Sequence, residues 1–176
     1  MNPAMPETAD EVISEIRATL SRLTDPEIPV ITLEEMGILR EVRRGDDGTP
    51  EVVITPTYSG CPAMGQIEDD VRAVLQATHP QGRVITRLAP AWTTDWMSDA
   101  AREKLRAYGI APPQCTQAPP AGVLRFSRRA VAPEAIACPQ CGSHNTTETS
   151  PFGSTACKAL YRCLDCLEPF DYFKPY

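Results

Sequence analysis

Between residues 12 and 23, Val12, Ile13, Ile16, Leu20 and Leu23 recur every three or four positions among charged and polar neighbours. That interval places them on one face of an amphipathic helix. Thr8 and Glu11 stand at capping-box spacing ahead of the run, and Asp25-Pro26 marks its end. Ile38 to Val42 and Val52 to Thr55 read as strands, and Gly45-Asp46-Asp47-Gly48 between them reads as the turn of a hairpin. After the turn Tyr58-Ser59-Gly60-Cys61-Pro62, a second helix is marked by the stripe Ile67, Val71, Val74 and Leu75, with Pro62 suited to its first position. Val84 to Leu88 supplies a third strand. Ser98 is placed to cap a third helix that closes at Gly109.

The order is therefore α-β-β-α-β-α, a small α+β domain over residues 1–111. Four prolines fall between Ala111 and Gly122 without any periodic pattern, so residues 112–132 read as a linker or extended arm. Residues 133–176 form a second, smaller part. No internal repeat is visible.

Composition narrows the function classes. The chain has 176 residues, 42% of them hydrophobic, enough for one core of ordinary size and an appendage. No stretch approaches the roughly 20 apolar residues of a membrane helix, and no basic segment followed by an apolar run opens the chain. A cytoplasmic protein with no membrane partner is expected. Up to Ala111 there are 11 basic and 18 acidic residues, a balance of -7, and from Pro112 onward 6 basic and 5 acidic, a balance of +1. Neither part offers the basic surface that phosphate-backbone binding requires.

The chemistry concentrates in cysteine. Of the seven, Cys138-Pro139-Gln140-Cys141 and Cys163-Leu164-Asp165-Cys166 form two C-x-x-C pairs about twenty residues apart. Each short turn directs two sulfurs to one centre, so Cys138, Cys141, Cys163 and Cys166 can occupy the corners of a tetrahedron. Zinc is the expected occupant, in a structural role. The same ligands could carry an iron-sulfur cluster, and C-x-x-C could also be a redox dithiol. So small a segment lacks the apolar surface for an independent core, and metal binding at roughly 10 to 16 kcal/mol would supply its folding free energy. Cys157 reads either as an additional thiol for this centre or as a spare buried one. His144 lies close enough in sequence to contact the metal shell, although four cysteines already fill a tetrahedral site; His79 is a weaker candidate.

Cys61 is a separate signal. It falls between a strand and a helix, where unpaired backbone N–H groups and the helix dipole favour a thiolate. The alternative is a small hydrophobe that falls at a turn.

Asp25-Pro26-Glu27-Ile28-Pro29-Val30, followed by Thr57-Tyr58-Ser59-Gly60-Cys61-Pro62, resembles the signature of the metal-sulfur cluster assembly domain of SufT-like proteins and cytosolic iron-sulfur targeting factors. Beyond it, Phe152-Gly153-Ser154-Thr155-Ala156-Cys157-Lys158-Ala159-Leu160-Tyr161-Arg162-Cys163, Glu168-Pro169-Phe170 and Phe173-Lys174 are similar to the phenylacetate-degradation D proteins, the PaaD family. Trp92-Thr93-Thr94-Asp95-Trp96-Met97 matches the same pattern. The resemblance runs through nearly the whole chain.

It implies a non-catalytic helper of the multicomponent oxygenase that epoxidises the ring of phenylacetyl-CoA. The client would be chiefly the reductase component, which carries a [2Fe-2S] cluster and a flavin. Cys61 would transiently ligate iron or a cluster, with Asp25 and Glu27 as a neighbouring polar wall, although Asp25-Pro26-Glu27 could equally be only a helix-ending turn. Exposed Phe170, Tyr172 and Phe173 would dock the client, the plain alternative being a strand and turn built from the same residues. Trp92 and Trp96 divide between core packing and a binding rim. The family resemblance also allows a homodimer. With only His79 and His144, and no Glu-x-x-His pair or dinucleotide-binding glycine fingerprint, the chain itself offers no di-iron or hydride chemistry. Two other readings are a structural subunit of the oxygenase complex and a nucleic-acid-binding zinc ribbon.

Overall fold

The computed structural model describes residues 9–114 and 135–176. Thr8, the expected cap of the first helix, lies outside them, as does the 112–132 segment from residue 115 onward. The described residues fall into two compact units that divide between Ala101 and Arg102.

The first unit has the α+β order expected from the sequence: α1 (Ala9–Leu20), β1 (Leu39–Arg44), β2 (Pro50–Ile54), α2 (Met64–Thr78), β3 (Arg83–Thr86), and the start of α3 (Asp99–Ala107). The strands form one sheet in the order β1-β2-β3. β1 and β2 pair antiparallel through the Gly45–Gly48 turn, and β2 and β3 pair parallel, with α2 as the crossover. α1 and α2 pack against each other, α1 also against β1 and α2 against β3. Val12, Ile16 and Leu20 face inward from α1, and Ile67, Val71 and Leu75 from α2. The central strand, β2, has Val52, Val53 and Ile54 all fully buried, the signature of a strand covered on both faces.

The strand limits shift by one or two residues from the sequence reading, and two helix boundaries differ from it for hydrogen-bonding reasons. α1 stops at Leu20, because Leu23 N–H turns back to the Leu20 carbonyl in a tighter i→i+3 turn. α2 begins at Met64 rather than at Pro62. Its first i→i+4 bond runs from Ile67 N–H to the Ala63 carbonyl, while Met64 N–H closes a turn on the Cys61 carbonyl. Between α1 and β1 the chain forms a packed loop whose Ile28, Ile31, Leu33 and Met36 are all buried. It is pinned by the Asp25 N–H on the Ile31 carbonyl and the Leu33 N–H on the Leu23 carbonyl. Gly37, with φ 75°, is required there: a Cβ would come within 2.7 Å of the Trp96 carbonyl oxygen.

The second unit runs from Arg102. Ser98 accepts the Ala101 N–H as an N-cap of α3, as expected. After Gly109, residues Ile110–Ala111 form a short strand, β4, followed in the unit by β5 (Thr146–Ser150), β6 (Lys158–Cys163) and β7 (Pro169–Phe173). The sheet order is β4-β7-β6-β5, with β4 parallel to β7 and the other pairs antiparallel. Its core is small: Ala111, Ile136, Cys138, Ala159, Cys163, Phe170 and Tyr172, with Tyr161 and Cys166 packed against it. Tyr161 sits edge-on to Tyr172 at 5.5 Å and tilted to Phe170 at 5.8 Å.

Candidate metal centre and the Cys61 turn

β6 ends in Cys163, and the turns on either side of the sheet bring Cys138, Cys141 and Cys166 to the same point. All four sulfurs lie within 4.8 Å of one another. The separations are 3.8 Å for Cys138–Cys166 and 3.6 Å for Cys141–Cys163. Four Zn–S bonds of ~2.3 Å at tetrahedral angles require S···S edges of about 3.8 Å. The donor set therefore fits one tetrahedral Zn²⁺, with Cys138 and Cys163 buried and Cys141 at the surface.

Both knuckles are built alike. The residue after the second cysteine takes a left-handed backbone conformation, Gly142 at φ 76° and Leu167 at φ 67°, which turns the next N–H back onto a sulfur. Ser143 N–H thus bonds Cys141, and Glu168 N–H bonds Cys166. Cys163 receives the N–H groups of Cys166 and Asp165, which bring its thiol down to about 7. Cys166 is pushed up to about 12: the Glu168 N–H favours its thiolate, but burial and the neighbouring sulfurs together outweigh it. The backbone thus holds charge on sulfur, and a cation relieves the crowding of thiolates.

Cys157 stands apart from this group. It immediately precedes β6, whereas Cys163 is the strand's last residue. Six steps of ~3.3 Å put the two about 20 Å apart, so Cys157 is no fifth thiolate of this centre. It is buried, with its sulfur 3.0 Å from the Thr155 hydroxyl. His144 is not among the side chains gathered with the four cysteines; its Nδ1 lies 3.0 Å from the Ala135 carbonyl.

The aromatic residues expected to be exposed for docking are buried instead: Phe170 is 4% accessible, Tyr172 7% and Phe173 1%. Phe170 and Tyr172 alternate along β7 into the face that carries Ile136 and Ala111, and the Phe173 ring is also enclosed. They are core, and they cannot present a binding surface without unfolding the ribbon. Trp92 is core as well, 4% accessible with its indole N–H donating to the Met36 carbonyl at 3.1 Å. Trp96 is half-buried beneath the Arg40 guanidinium, 3.5 Å above its ring.

Cys61 sits in the turn before α2, half-buried, its N–H bonded to the Tyr58 carbonyl. The expectation of a favoured thiolate is not met. Burial pushes the Cys61 thiol up, the Ala63 N–H and Thr57 hydroxyl oppose this, and the Glu27 and Asp25 carboxylates push it further up. The physical reason is position: α2 starts at Met64, so Cys61 gains one backbone N–H but not the whole helix terminus, and two negative charges face it. Asp25 is a fixed charge. It is buried, with Oδ1 accepting the N–H groups of Glu27 at 2.8 Å and Ile28 at 2.9 Å. Asp25-Pro26-Glu27 is thus a turn that orders its own loop and also sets the field at Cys61. The sequence reading missed Thr57 as a sulfur partner; its place in the same six-residue motif was the available signal.

Among the described residues, only the four cysteines of the ribbon gather three or more metal-binding side chains at one point. No helix among them is long and apolar enough to cross a membrane.

Comparison with known proteins agrees with this division. Residues 13–86 match a family described as iron-sulfur cluster assembly protein, and residues 126–174 match the PaaD zinc beta ribbon domain. An Escherichia coli (strain K12) protein, named as a putative subunit of 1,2-phenylacetyl-CoA epoxidase, is 48% identical over 166 residues, 92% of both chains. A Porphyromonas gingivalis (strain ATCC BAA-308 / W83) protein named Fe-S protein maturation auxiliary factor is 32% identical over 107 residues, 60% of this chain and 97% of its own. The Bacillus subtilis (strain 168) Fe-S protein maturation auxiliary factor YitW is 32% identical over 97 residues, 53% of this chain and 93% of its own. The chain belongs to the PaaD family, with an iron-sulfur cluster assembly domain ahead of a PaaD zinc β-ribbon.

Proposed function

We propose that this protein is a maturation factor for the multicomponent phenylacetyl-CoA epoxidase, delivering iron or an iron-sulfur cluster to its [2Fe-2S] reductase component. The observation that carries the reading is the setting of Cys61: one half-buried thiol in the assembly domain, in the negative field of Glu27 and Asp25. Two negative charges oppose a bare thiolate but favour a thiolate bound to a cation. Iron as cargo would displace the thiol proton to solvent and form an Fe–S bond, and it would leave by the reverse exchange onto a client cysteine. Asp25, locked by its two backbone bonds, supplies charge without moving. Zinc in the ribbon would have a structural role, since four thiolates leave a tetrahedral ion no open position.

The test is the iron and sulfide content of the reductase, purified anaerobically from cells with the wild-type protein, with Cys61→Ala, or with neither. Substoichiometric cluster in the last two, with Cys61→Ala still folded and metal-loaded in its ribbon, is the expected result. A fully loaded reductase in all three overturns the proposal. A structural subunit of the complex is the second reading, favoured by the name of the 48% identical relative, which calls that protein a putative epoxidase subunit. Stable one-to-one copurification with the hydroxylase, together with a loaded reductase, would select it.

A further inference from the structure

The two cysteine turns of the ribbon, whose sulfurs meet at one point, are also joined by hydrogen bonds. Residues Ser143 to Asn145 lie between them and bond to both. The Ser143 carbonyl accepts the Cys138 N–H at 2.9 Å on one side, and the Asn145 carbonyl accepts the Leu164 N–H at 2.8 Å on the other. Asp165, which sits between Cys163 and Cys166, closes the bracket with its side chain. Its Oδ1 accepts the Asn145 side-chain amide at 2.7 Å, and its Oδ2 accepts the Ser143 hydroxyl. That hydroxyl oxygen in turn accepts the Asn145 N–H at 3.0 Å. Asp165 also gives its own N–H to the Cys163 sulfur.

We propose that Asp165, with Ser143 and Asn145, is a positioning bracket that holds the two cysteine turns in register and thereby sets how slowly the ribbon releases its metal. The inference rests on the reading that zinc fills the four-cysteine site. A metal held by two turns can leave stepwise, one pair of thiolates opening before the other. The bracket opposes that opening, because separating the Cys163–Cys166 turn from the Cys138–Cys141 turn breaks both carboxylate bonds and the Asn145–Leu164 backbone bond. Groups that fix metal ligands from outside the coordination sphere typically govern metal affinity by about 10- to 100-fold. Exposed bonds of this kind contribute little to a fold when taken singly. Here they span the one displacement that release requires.

The experiment follows zinc transfer from the full-length protein to an excess of a chromogenic chelator. Asp165→Ala should release zinc at least tenfold faster than wild type, and Ser143→Ala, which removes one of the two carboxylate bonds, by a smaller factor. Asp165→Asn retains an acceptor for the Asn145 amide and should fall between wild type and Asp165→Ala. Glu148→Ala is the control: it breaks a carboxylate bond to the Tyr161 hydroxyl, 3.2 Å, in the same ribbon but outside the bracket, and should release at the wild-type rate. Wild-type release by Asp165→Ala overturns the proposal, as does equal acceleration by Glu148→Ala, which would make the effect one of general ribbon stability. A wild-type protein that binds no zinc would overturn the zinc reading itself, and is distinguishable because no release signal appears in any variant.

Discussion

Replacing Cys163 with serine tests the ribbon most directly, with Cys157→Ser as its partner experiment. Cys163 is fully buried, 3.6 Å from Cys141 in a group whose four sulfurs match a tetrahedral edge of about 3.8 Å for Zn–S bonds of ~2.3 Å. A structural zinc contributes about 10 to 16 kcal/mol to folding. Shared among four thiolates, each bond accounts for roughly 2.5 to 4 kcal/mol of that range, which corresponds to about 70- to 1,000-fold in affinity. A hydroxyl in place of a buried sulfur adds about 1 to 3 kcal/mol where it finds no partner. Zinc retention after passage over a chelating resin, measured by atomic emission, reads the affinity. The near-ultraviolet circular dichroism of Tyr161, Phe170 and Tyr172 reads the packing beside the metal. Cys163→Ser should lose both signals, while Cys157→Ser, about 20 Å away along β6, should keep both. Full zinc retention by Cys163→Ser, or loss by Cys157→Ser, would refute the assignment of ligands.

Two further outcomes follow from the assembly domain. The raised Cys61 thiol should react slowly with iodoacetamide at pH 7 and accelerate as pH rises above the ordinary thiol value of 9.0. Because its folded value is the higher one, any stability linked to it is present below pH 9 and is lost as pH rises through that folded value; a pH-independent, fast reaction at pH 7 would contradict the assigned environment. Trp92→Phe removes the buried indole bond to the Met36 carbonyl and should cost about 1 to 3 kcal/mol in urea unfolding, whereas an unchanged midpoint would mean that the bond is replaced by another.

What was legible in the sequence was what depends on near neighbours. The Ile67, Val71, Val74, Leu75 stripe, of which Val74 is only half-buried, the Gly45–Gly48 hairpin, the Ser98 cap and the paired C-x-x-C turns each follow from residues a few positions apart, and all four are present in the structure. The aromatic end of the chain was not legible as core because its burial depends on distant partners. Phe170 and Tyr172 alternate as strand residues should. Yet only the pairing of β7 with β6, and with Ile110–Ala111 some sixty residues earlier, covers them. The Cys61 thiol illustrates a finer limit. A two-residue difference in where α2 starts, together with a carboxylate loop more than thirty residues upstream, reverses the expected direction of its shift.

That reversal sharpens the contrast between the two kinds of cysteine site in this chain. In the ribbon, four sulfurs close a tetrahedron, backbone N–H groups hold their charge, and an ion there has no vacant position. Cys61 is a single sulfur, and among the described residues no set of three ligand-type side chains forms around it. Its carboxylate neighbours would attract a cation without surrounding it, so iron held there would have to complete its coordination with ligands from elsewhere. A cargo bound by one protein thiolate and an electrostatic wall can be exchanged onto another protein's cysteines, whereas an ion bound by four cannot without dismantling its site. On this ground the proposed cargo iron would be held at Cys61 and a zinc ion in the ribbon would stay in place, although the ribbon has by far the more conspicuous cysteine motif.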